Sequence, residues 1–577
     1  MVRVQAAFTG LLALILTPGF LFYFDVTPKL VVLLAGLGGA LLLVPRRRHS
    51  PVFSWLVGLS LLSLAVSTAV STNPALSLYG TSWRRYGAIA QAATLLFAWT
   101  VASAGEAAVR PILRATAIAG AISGAYGIAQ YFGWDPLLRP EAYHIGEGIW
   151  TIVRPPGTLG YASYFATWLL FAVFLGAALR GWLGWTATAV AALAIFATGT
   201  RAAMLGLACG VVVWLCYAPP RRWRRLALAA GILAVAGTAF YFSPAGWPLR
   251  SRARWFTEDP WGGARPRLWA DSARMAAHRL PAGFGPEVFT ANFPHFESKE
   301  LARAYPDFAH ESPHNIFLDA LVAQGVPGLL LLTGFCIAGF AGAWRLRMPG
   351  LAAALAAGLV SQQFTVFTIP TAVMFYTTIA LLAARRTDSP PQANSLPHKV
   401  LAVCSALAFV YLAFRFAAAD HALELTRQAI QSADVIKAAT QYSAYENRRL
   451  PGVAADLWYA RALMDLAGKL PNPILRFQAM TQAGAAANRA LQTAEEPFNA
   501  WYNAAQLAAT QNDAAGAERC LRAAIAAHPN WFKPHWTLAQ LLRLQHRFAE
   551  ADAEAARALD LDGGKHPEVA RSLLFHE

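Results

Sequence analysis

Long apolar segments occupy the first 419 residues and restrict the possible folds more than any other feature. Windows near the roughly 20 residues that a membrane-crossing helix needs fall at 7–24, 29–45, 51–71, 86–104, 111–132, 160–179, 182–199, 201–218, 226–243, 315–342, 351–368, 370–384 and 400–418. Only 14% of the residues are charged, against about 25% in an ordinary soluble protein. We therefore expect an all-α polytopic membrane protein with about 13 spans, of which 370–384 is the least secure because it is short.

The distribution of basic residues predicts the orientation of these spans. Cytoplasmic loops are rich in Lys and Arg, and basic clusters recur at 46–48, 110–114, 180, 221–225, 345–347 and 385–386. The alternate segments 72–85, 133–159 and 244–314, and everything after the last span, then face the other side. The formal charge of +16 comes from this membrane part, so it does not indicate nucleic acid. We expect a multi-pass protein surrounded by membrane lipids.

After the last span the composition changes to Ala-rich helices with a 34-residue period. Taking Phe498 as the first residue of a unit places six residues at tetratricopeptide positions: Trp501, Ala505, Ala517, Leu521, Ala524 and Pro529. A second unit starts at Phe532, and such a period is typical of helical repeats. The alternative is a generic Ala-rich helical bundle. We divide the chain into a membrane domain, 1–419, with a large periplasmic loop at 244–314, and a periplasmic helical tetratricopeptide-like domain, 420–577, for docking of a partner or substrate.

Residues 310–328 join the longest predicted outer loop to a span. His314-Asn315 is followed by nine residues, then Gly325, two more residues and Gly328. The same stretch contains His310-Glu311-Ser312-Pro313-His314, the His-Glu-x-x-His pattern of zinc proteases, but that site needs one continuous helix and Pro313 would break it. We expect Ser312 to cap the span, with Pro313 as its first residue and His314 in its first turn. The sequence predicts no metal site and no cofactor.

The His-Asn-x9-Gly-x-x-Gly pattern resembles the signature of the O-antigen ligase and O-antigen polymerase superfamily. Three other segments are similar to elements of that family: Arg154-Pro-Pro-Gly157-Thr158-Leu-Gly160, Thr198-Gly199-Thr200-Arg201, and Arg265 to Trp269 followed by Gly283, Gly285 and Phe289. The Asn-Pro-Asn that often follows the first element is Tyr161-Ala162-Ser163 here. The resemblance implies a membrane glycosyltransferase of the GT-C type that uses a glycan on undecaprenyl diphosphate.

The resemblance also implies roles for individual residues, and their chemistry fits those roles. His314 is the candidate general base, because an imidazole suits proton transfer at neutral pH. Four arginines, whose guanidinium groups can bind phosphates bidentately, are candidates for the lipid diphosphate: Arg201, Arg265, Arg154 and, as a substitute for Arg265, Arg267. Residues that support the motifs are Asn315, Gly325, Gly328, Gly283 and Gly285. We assign Asn73, Tyr79, Arg84 and Arg85 to an interfacial belt.

The acceptor stays open at this point. Transfer to lipid A core would make the protein a ligase, transfer to another glycan a polymerase, and transfer to a Ser or Thr hydroxyl a protein O-oligosaccharyltransferase. Alternatives from other classes are a transporter or flippase, which would place ionisable residues at midmembrane in two related halves, and a non-catalytic assembly scaffold. The tail also allows a protein partner.

Overall fold

The computed structural model describes residues 1–43, 50–147, 150–217, 235, 237–253, 263–383, 396–452 and 454–574. Three of the basic clusters, 46–48, 221–225 and 385–386, and most of the window 226–243 lie outside the described residues. The α-helices of the membrane part are Val2–Leu14, Thr27–Leu43, Pro51–Ala69, Pro74–Tyr79, Ala88–Ala104, Val109–Tyr131, Ala162–Leu179, Gly181–Ala197, Arg201–Cys216, Trp247–Ala253, Arg265–Ala277, Phe289–Asn292, Lys299–Ala304, Ile316–Leu346, Pro349–Ser361, Ile369–Ala383 and Leu396–Gln431.

Five segments of the described chain are helical, long and apolar enough to cross a membrane: Pro51–Ala69, Ala88–Tyr131, Ala162–Leu179, Ile316–Leu346 and Lys399–Gln431. Six shorter apolar helices accompany them: Val2–Leu14, Thr27–Leu43, Gly181–Ala197, Arg201–Cys216, Pro349–Ser361 and Ile369–Ala383. The predictions of a helical fold and a membrane protein are confirmed. The total of about 13 spans stays a prediction.

The first apolar window is only partly helical. The helix Val2–Leu14 ends at Ile15, whose backbone is extended, although the window continues to Phe24. Pro18 disfavours helical backbone at the residue before it, and Gly19 adopts φ +77°. The chain therefore turns at residues 15–26, before the helix Thr27–Leu43 begins.

The helix Ala162–Leu179 forms the centre of the membrane part. Its large side chains Phe165, Trp168, Phe171 and Phe174 are all buried, and it packs against the helices that flank it in sequence and against Pro349–Ser361. Small residues let neighbouring backbones approach closely, as is common between membrane helices. The close packing makes this region a rigid base for the loops at its ends.

One short antiparallel hairpin adds to the helical fold. Strand β1 (His144–Glu147) pairs with strand β2 (Trp150–Val153), with His144 opposite Val153. It lies in the predicted outer segment 133–159, and Arg154 follows directly after β2. The position of Arg154 is therefore determined by the end of strand β2.

The residues after the membrane part, which we call the tail (residues 420–574), consist of consecutive helices that pack in pairs. These helices are Val435–Arg448, Asp456–Lys469, Pro473–Thr493, Pro497–Thr510, Ala514–Ala527, Phe532–Leu544, Phe548–Asp562 and Pro567–Leu574. Ala505, Leu521 and Leu538, all at predicted repeat positions, share one buried cluster. The assignment of this tail to the tetratricopeptide class stays a prediction.

The last membrane helix continues without a break into the tail. This exit helix (Leu396–Gln431) contains 36 residues. Asp420 Oδ2 accepts a hydrogen bond from Tyr23 N at 3.0 Å, and the guanidinium of Arg415 donates to the carbonyls of Arg448 and Arg449 at 2.9 and 3.1 Å. The start of the tail is thus bonded to the loop after the first helix and to the middle of the exit helix.

Candidate functional site

A kink in the helix that follows His314 organises the surrounding loops. This site helix (Ile316–Leu346) has non-helical backbone at Gly325 (φ 67°, ψ −160°) and contains Pro327. Proline has no N–H to donate, so the carbonyl one turn before it is left without its helical partner. That carbonyl, of Ala323, accepts hydrogen bonds from Gly285 N at 3.0 Å and from Ser67 Oγ at 2.6 Å.

The segment that satisfies the kink, which we call the clamp loop (residues 280–287), is bonded to it on both sides. Phe284 N donates to Val322 O at 2.8 Å, and Val326 N donates to Leu280 O at 2.7 Å. Two of the motifs predicted from the sequence therefore meet here, backbone against backbone.

Close backbone contact explains why glycines occupy these positions. A Cβ on Gly283 would lie 2.3 Å from Ala323 O, and one on Gly325 would lie 2.2 Å from Leu280 O. Both residues also have positive φ, as does Gly285 at +108°, a backbone region that side chains disfavour. Within the site helix, a Cβ on Gly328 would be 2.9 Å from Ala320 O. The four motif glycines shape the backbone that carries the site.

Asn315 determines where the site helix begins. Its Oδ1 accepts hydrogen bonds from Phe317 N and Leu318 N at 3.0 and 3.2 Å, which satisfies two of the N–H groups that a helix start leaves without partners. The prediction that Ser312 caps the helix and that His314 lies in its first turn is wrong. His314 precedes the helix with φ +50°, and this left-handed turn separates it from the helical residues. The two histidines of the zinc-protease pattern do not share a helix.

His314 lines a cavity of about 430 Å³. Five separate segments meet around it, from the loops that begin or end membrane helices. The lining residues are Asp25, Val26, Lys29, Trp83, Arg84, Leu159, Tyr161, Tyr164, Phe308, Ala309, His310, Glu311, His314, Thr368, Ile369 and Pro370. Aromatic rings thus line a space that also contains cations, carboxylates and imidazoles. Such a mixture suits a polar ligand with apolar faces.

Arg84 is the arginine that the structure places in the cavity wall. Its side chain is 4% exposed, and its Nε lies 2.5 Å from a carboxylate oxygen of Glu287 while Nη1 lies 3.2 Å from Asp319 Oδ2. The clamp loop supplies Glu287 and the site helix supplies Asp319. The assignment of Arg84 to an interfacial belt is wrong, because its side chain is buried between two carboxylates. Both partners lie more than 200 residues away in sequence, so no local pattern predicts them.

The four predicted arginines do not belong to the described lining of the cavity. Arg154 contacts a lining residue, because its guanidinium lies 5.6 Å from the ring centre of Tyr161; it also donates to Ser163 Oγ at 3.3 Å. Arg265 begins the helix Arg265–Ala277, and its charge acts on His314. Arg201 is half-buried at the start of its helix, and Arg267 is exposed.

The surroundings keep His314 neutral. Burial is the main cause that lowers its pKa to about 3, and the positive charges of Arg265 and Arg84, with His310, lower it further. Its Nδ1 lies 3.4 Å from Ser312 Oγ. At neutral pH this imidazole carries no charge and has little tendency to take up a proton. The cause of this neutrality is burial together with nearby cations.

Two neighbours of His314 in the same loop also titrate abnormally. Burial raises the pKa of Glu311, as does the charge of Glu496 from the tail, and Arg84 opposes both. Burial lowers the pKa of His310, whose Nε2 lies 3.9 Å from Glu297 Oε1. In the sequence, His310 and Glu311 stand out only as part of the zinc-protease pattern that Pro313 excludes.

The tail contacts residues that lie next to the lining of this cavity. His528 Nε2 lies 2.5 Å from Glu297 Oε2, and Asn530 donates to the carbonyl of Glu297 at 2.7 Å. On the other wall, Glu495 accepts a hydrogen bond from Ser82 N, next to Trp83 and Arg84. The tail therefore contacts Ser82, which precedes the lining residues Trp83 and Arg84, and Glu297, which lies 3.9 Å from the lining residue His310.

No group of three or more His, Cys, Asp or Glu side chains in the described part of the chain is arranged to hold a metal ion. This includes the cavity, although His310, Glu311, His314 and Asp25 all line it.

Comparison with known protein families gives one match. A family model described as O-antigen ligase matches residues 186–333. The matched range contains Arg201, Arg265, His314 and the motif glycines, and it ends inside the site helix. This match supports the O-antigen ligase superfamily and a membrane enzyme of the glycosyltransferase kind; it does not extend to the tail. The search of curated proteins finds no match.

Proposed function

We propose that the protein is a membrane glycosyltransferase of the O-antigen ligase type, which moves a glycan from undecaprenyl diphosphate to an acceptor hydroxyl. The observation that carries this proposal is the cavity that holds His314, at the start of a membrane helix within the range matched by the family model. A lipid diphosphate presents its phosphates at the membrane surface, where the ends of the surrounding helices meet.

The cations around the cavity are suited to a diphosphate leaving group. Breaking the bond between sugar and phosphate leaves negative charge on the diphosphate, and preorganised cations stabilise that charge in the transition state. Arg84 is held rigidly in the wall by two carboxylates. The charge of Arg265 acts on His314, and Arg154 contacts Tyr161 of the cavity lining. We propose that Arg265, Arg154 and Arg201 bind the diphosphate. Arg267 is the weakest of the candidates because it is exposed.

The location follows from the predicted orientation. We propose a bacterial inner membrane, with the cavity, the loop 244–314 and the tail on the periplasmic side. Labelling of single cysteines introduced at Gln492 and Lys299 by a membrane-impermeant maleimide in intact spheroplasts tests this. Both should react, and labelling that requires permeabilised membranes would contradict the orientation.

The function is tested with the full-length protein in proteoliposomes. Undecaprenyl-diphosphate-linked glycan is supplied with one of three acceptors: lipid A core oligosaccharide, a second lipid-linked glycan, or a peptide rich in Ser and Thr. We expect transfer to one of them. His314→Ala should reduce it by about 10² or more, whether His314 moves a proton or stabilises the leaving group. The product identifies a ligase, a polymerase or a protein O-oligosaccharyltransferase.

Gly58→Ala serves as a matched control, because nothing lies within 4 Å of the added methyl group. Normal transfer by His314→Ala would contradict a chemical role for His314. Movement of the lipid-linked glycan across the bilayer without transfer would instead indicate a flippase.

A further inference from the structure

We infer that Glu311 is the group that takes the proton from the acceptor hydroxyl, while His314 acts as a neutral hydrogen-bond donor to the diphosphate. This inference rests on the proposed glycosyl transfer and assigns the roles of two residues within it. Both residues line the same cavity and are three residues apart in one loop.

Glu311 is the uncommitted carboxylate of that loop. Glu287 and Asp319 are bound to Arg84, and Glu297 is bound to His528. In the described part of the chain, Glu311 forms no hydrogen bond or ion pair, although it faces the cavity. Its carboxylate is therefore available to a ligand.

Asp25 is the competing carboxylate, and its surroundings fit proton transfer less well. It lines the cavity from the loop after the first helix, one turn before Lys29, whose ammonium bonds its backbone carbonyl. Its side chain packs against Gly160. Burial raises the pKa of Asp25 as well, but the charge of Lys29 opposes this shift. Asp25 therefore already has a cation as its neighbour.

Electrostatics favours a carboxylate over the imidazole as proton acceptor. Burial disfavours the protonated form of His314, and protonation would add a cation near Arg265 and Arg84, so its pKa is lowered to about 3. A base is efficient when its pKa is near the working pH. The pKa of Glu311 is shifted upward, toward neutrality, by burial and by Glu496.

Other charged or titratable groups also face this loop. They are Arg84, Lys29, Asp25, Tyr161, Tyr164, His310 and His314 from the cavity, and Glu496 from the tail. The negative charge of Glu311 is therefore surrounded by both positive and negative groups. Its protonation leaves the nearby cations free to stabilise the diphosphate.

The step balances as follows. The acceptor O–H bond breaks and its proton goes to a carboxylate oxygen of Glu311, while the acceptor oxygen forms a bond to the anomeric carbon. The bond between that carbon and the phosphate oxygen breaks, and its electron pair stays on the diphosphate. His314 donates an N–H hydrogen bond to a diphosphate oxygen and keeps its proton. Glu311 then releases its proton to water.

The test uses full-length Glu311→Gln, Glu311→Ala, Asp25→Asn and His314→Ala variants in proteoliposomes. Glu311→Gln should bind the undecaprenyl-diphosphate glycan as the wild type does and lose transfer by about 10² or more. The turnover rate of the wild type should fall toward acidic pH as one carboxyl group becomes protonated. The residual turnover of Glu311→Gln should lack this acid limb.

Chemical rescue separates a proton-transfer role from a structural one. Formate, a small carboxylate that fits the space of the missing side chain, should increase the turnover of Glu311→Ala and leave that of His314→Ala unchanged. Near-normal transfer by Glu311→Gln, or an acid limb that persists in it, would overturn the inference. Loss of transfer in Asp25→Asn, together with an acid limb that persists in Glu311→Gln, would give the role to Asp25. A wild-type protein without any transfer would refute the proposed function itself.

Discussion

The contact between the clamp loop and the kinked site helix yields the sharpest prediction, for Gly325→Ala. The new methyl group would lie 2.2 Å from Leu280 O, so the carbonyl must move and the hydrogen bond from Val326 N is lost. A φ of +67° costs a residue with a side chain roughly 1–3 kcal/mol, and the lost hydrogen bond adds about 1 kcal/mol. We expect the clamp loop to be destabilised by about 3 kcal/mol in total.

Hydrogen exchange read by mass spectrometry measures this effect locally. A change of about 3 kcal/mol corresponds to roughly a 10²-fold loss of protection in peptides that cover residues 280–287. Transfer activity should fall as well, because the clamp loop carries Glu287, the partner of Arg84. Gly58→Ala, on an open helix surface, should leave protection unchanged. Equal protection of the clamp loop in the two variants would refute the steric argument.

Three further predictions concern charges around the cavity. Arg84→Gln leaves two carboxylates without their cation and should lower stability by about 3–5 kcal/mol, measured as a lower Tm in detergent. Adding Glu287→Gln should restore part of the lost stability. An unchanged Tm would show that the ion pairs do not contribute. His528→Ala removes the partner of Glu297, so limited proteolysis should cleave the tail faster, whereas equal cleavage would contradict a docking role. Burial raises the pKa of Glu495 from 4.5 to about 7. The folded state therefore binds the proton more tightly than the unfolded state, and this contribution to tail docking is lost as pH rises from about 4.5 through 7. Glu495→Gln should make tail docking independent of pH in this range. If the variant keeps the pH profile of the wild type, another group is responsible for the titration.

The sequence was sufficient where the signal is local. Apolar windows predict the helical membrane part because a bilayer requires internally bonded backbone, and the spacing of Phe498 and Phe532 predicts helix starts in the tail. The motif around His314 predicts a residue that lines the cavity described above. Each of these signals lies within one short stretch of chain.

What the sequence did not give depends on contacts between distant segments. Arg84 is buried by Glu287 and Asp319, and nothing near it in sequence distinguishes it from an interfacial arginine. Glu311 belongs to a metal-binding pattern that the sequence excludes. Only the cavity around it indicates a functional role. The start of the site helix was misplaced by three residues, because Ser312 and Asn315 are both good helix caps and only the fold selects between them.

The exit helix has a consequence for the direction in which the tail faces. Its 36 residues extend about 54 Å at 1.5 Å per residue, whereas the hydrocarbon core of a bilayer takes about 30 Å. Because the helix is continuous, inserting one residue after Gln428 would turn everything beyond it by about 100° and raise it by 1.5 Å. Inserting seven residues would nearly restore the direction but raise the tail by about 10 Å. The number of residues in this helix thus sets both the distance of the tail from the membrane and its rotation about the helix axis. A homologue whose tail binds the same loops should have a helix of the same length.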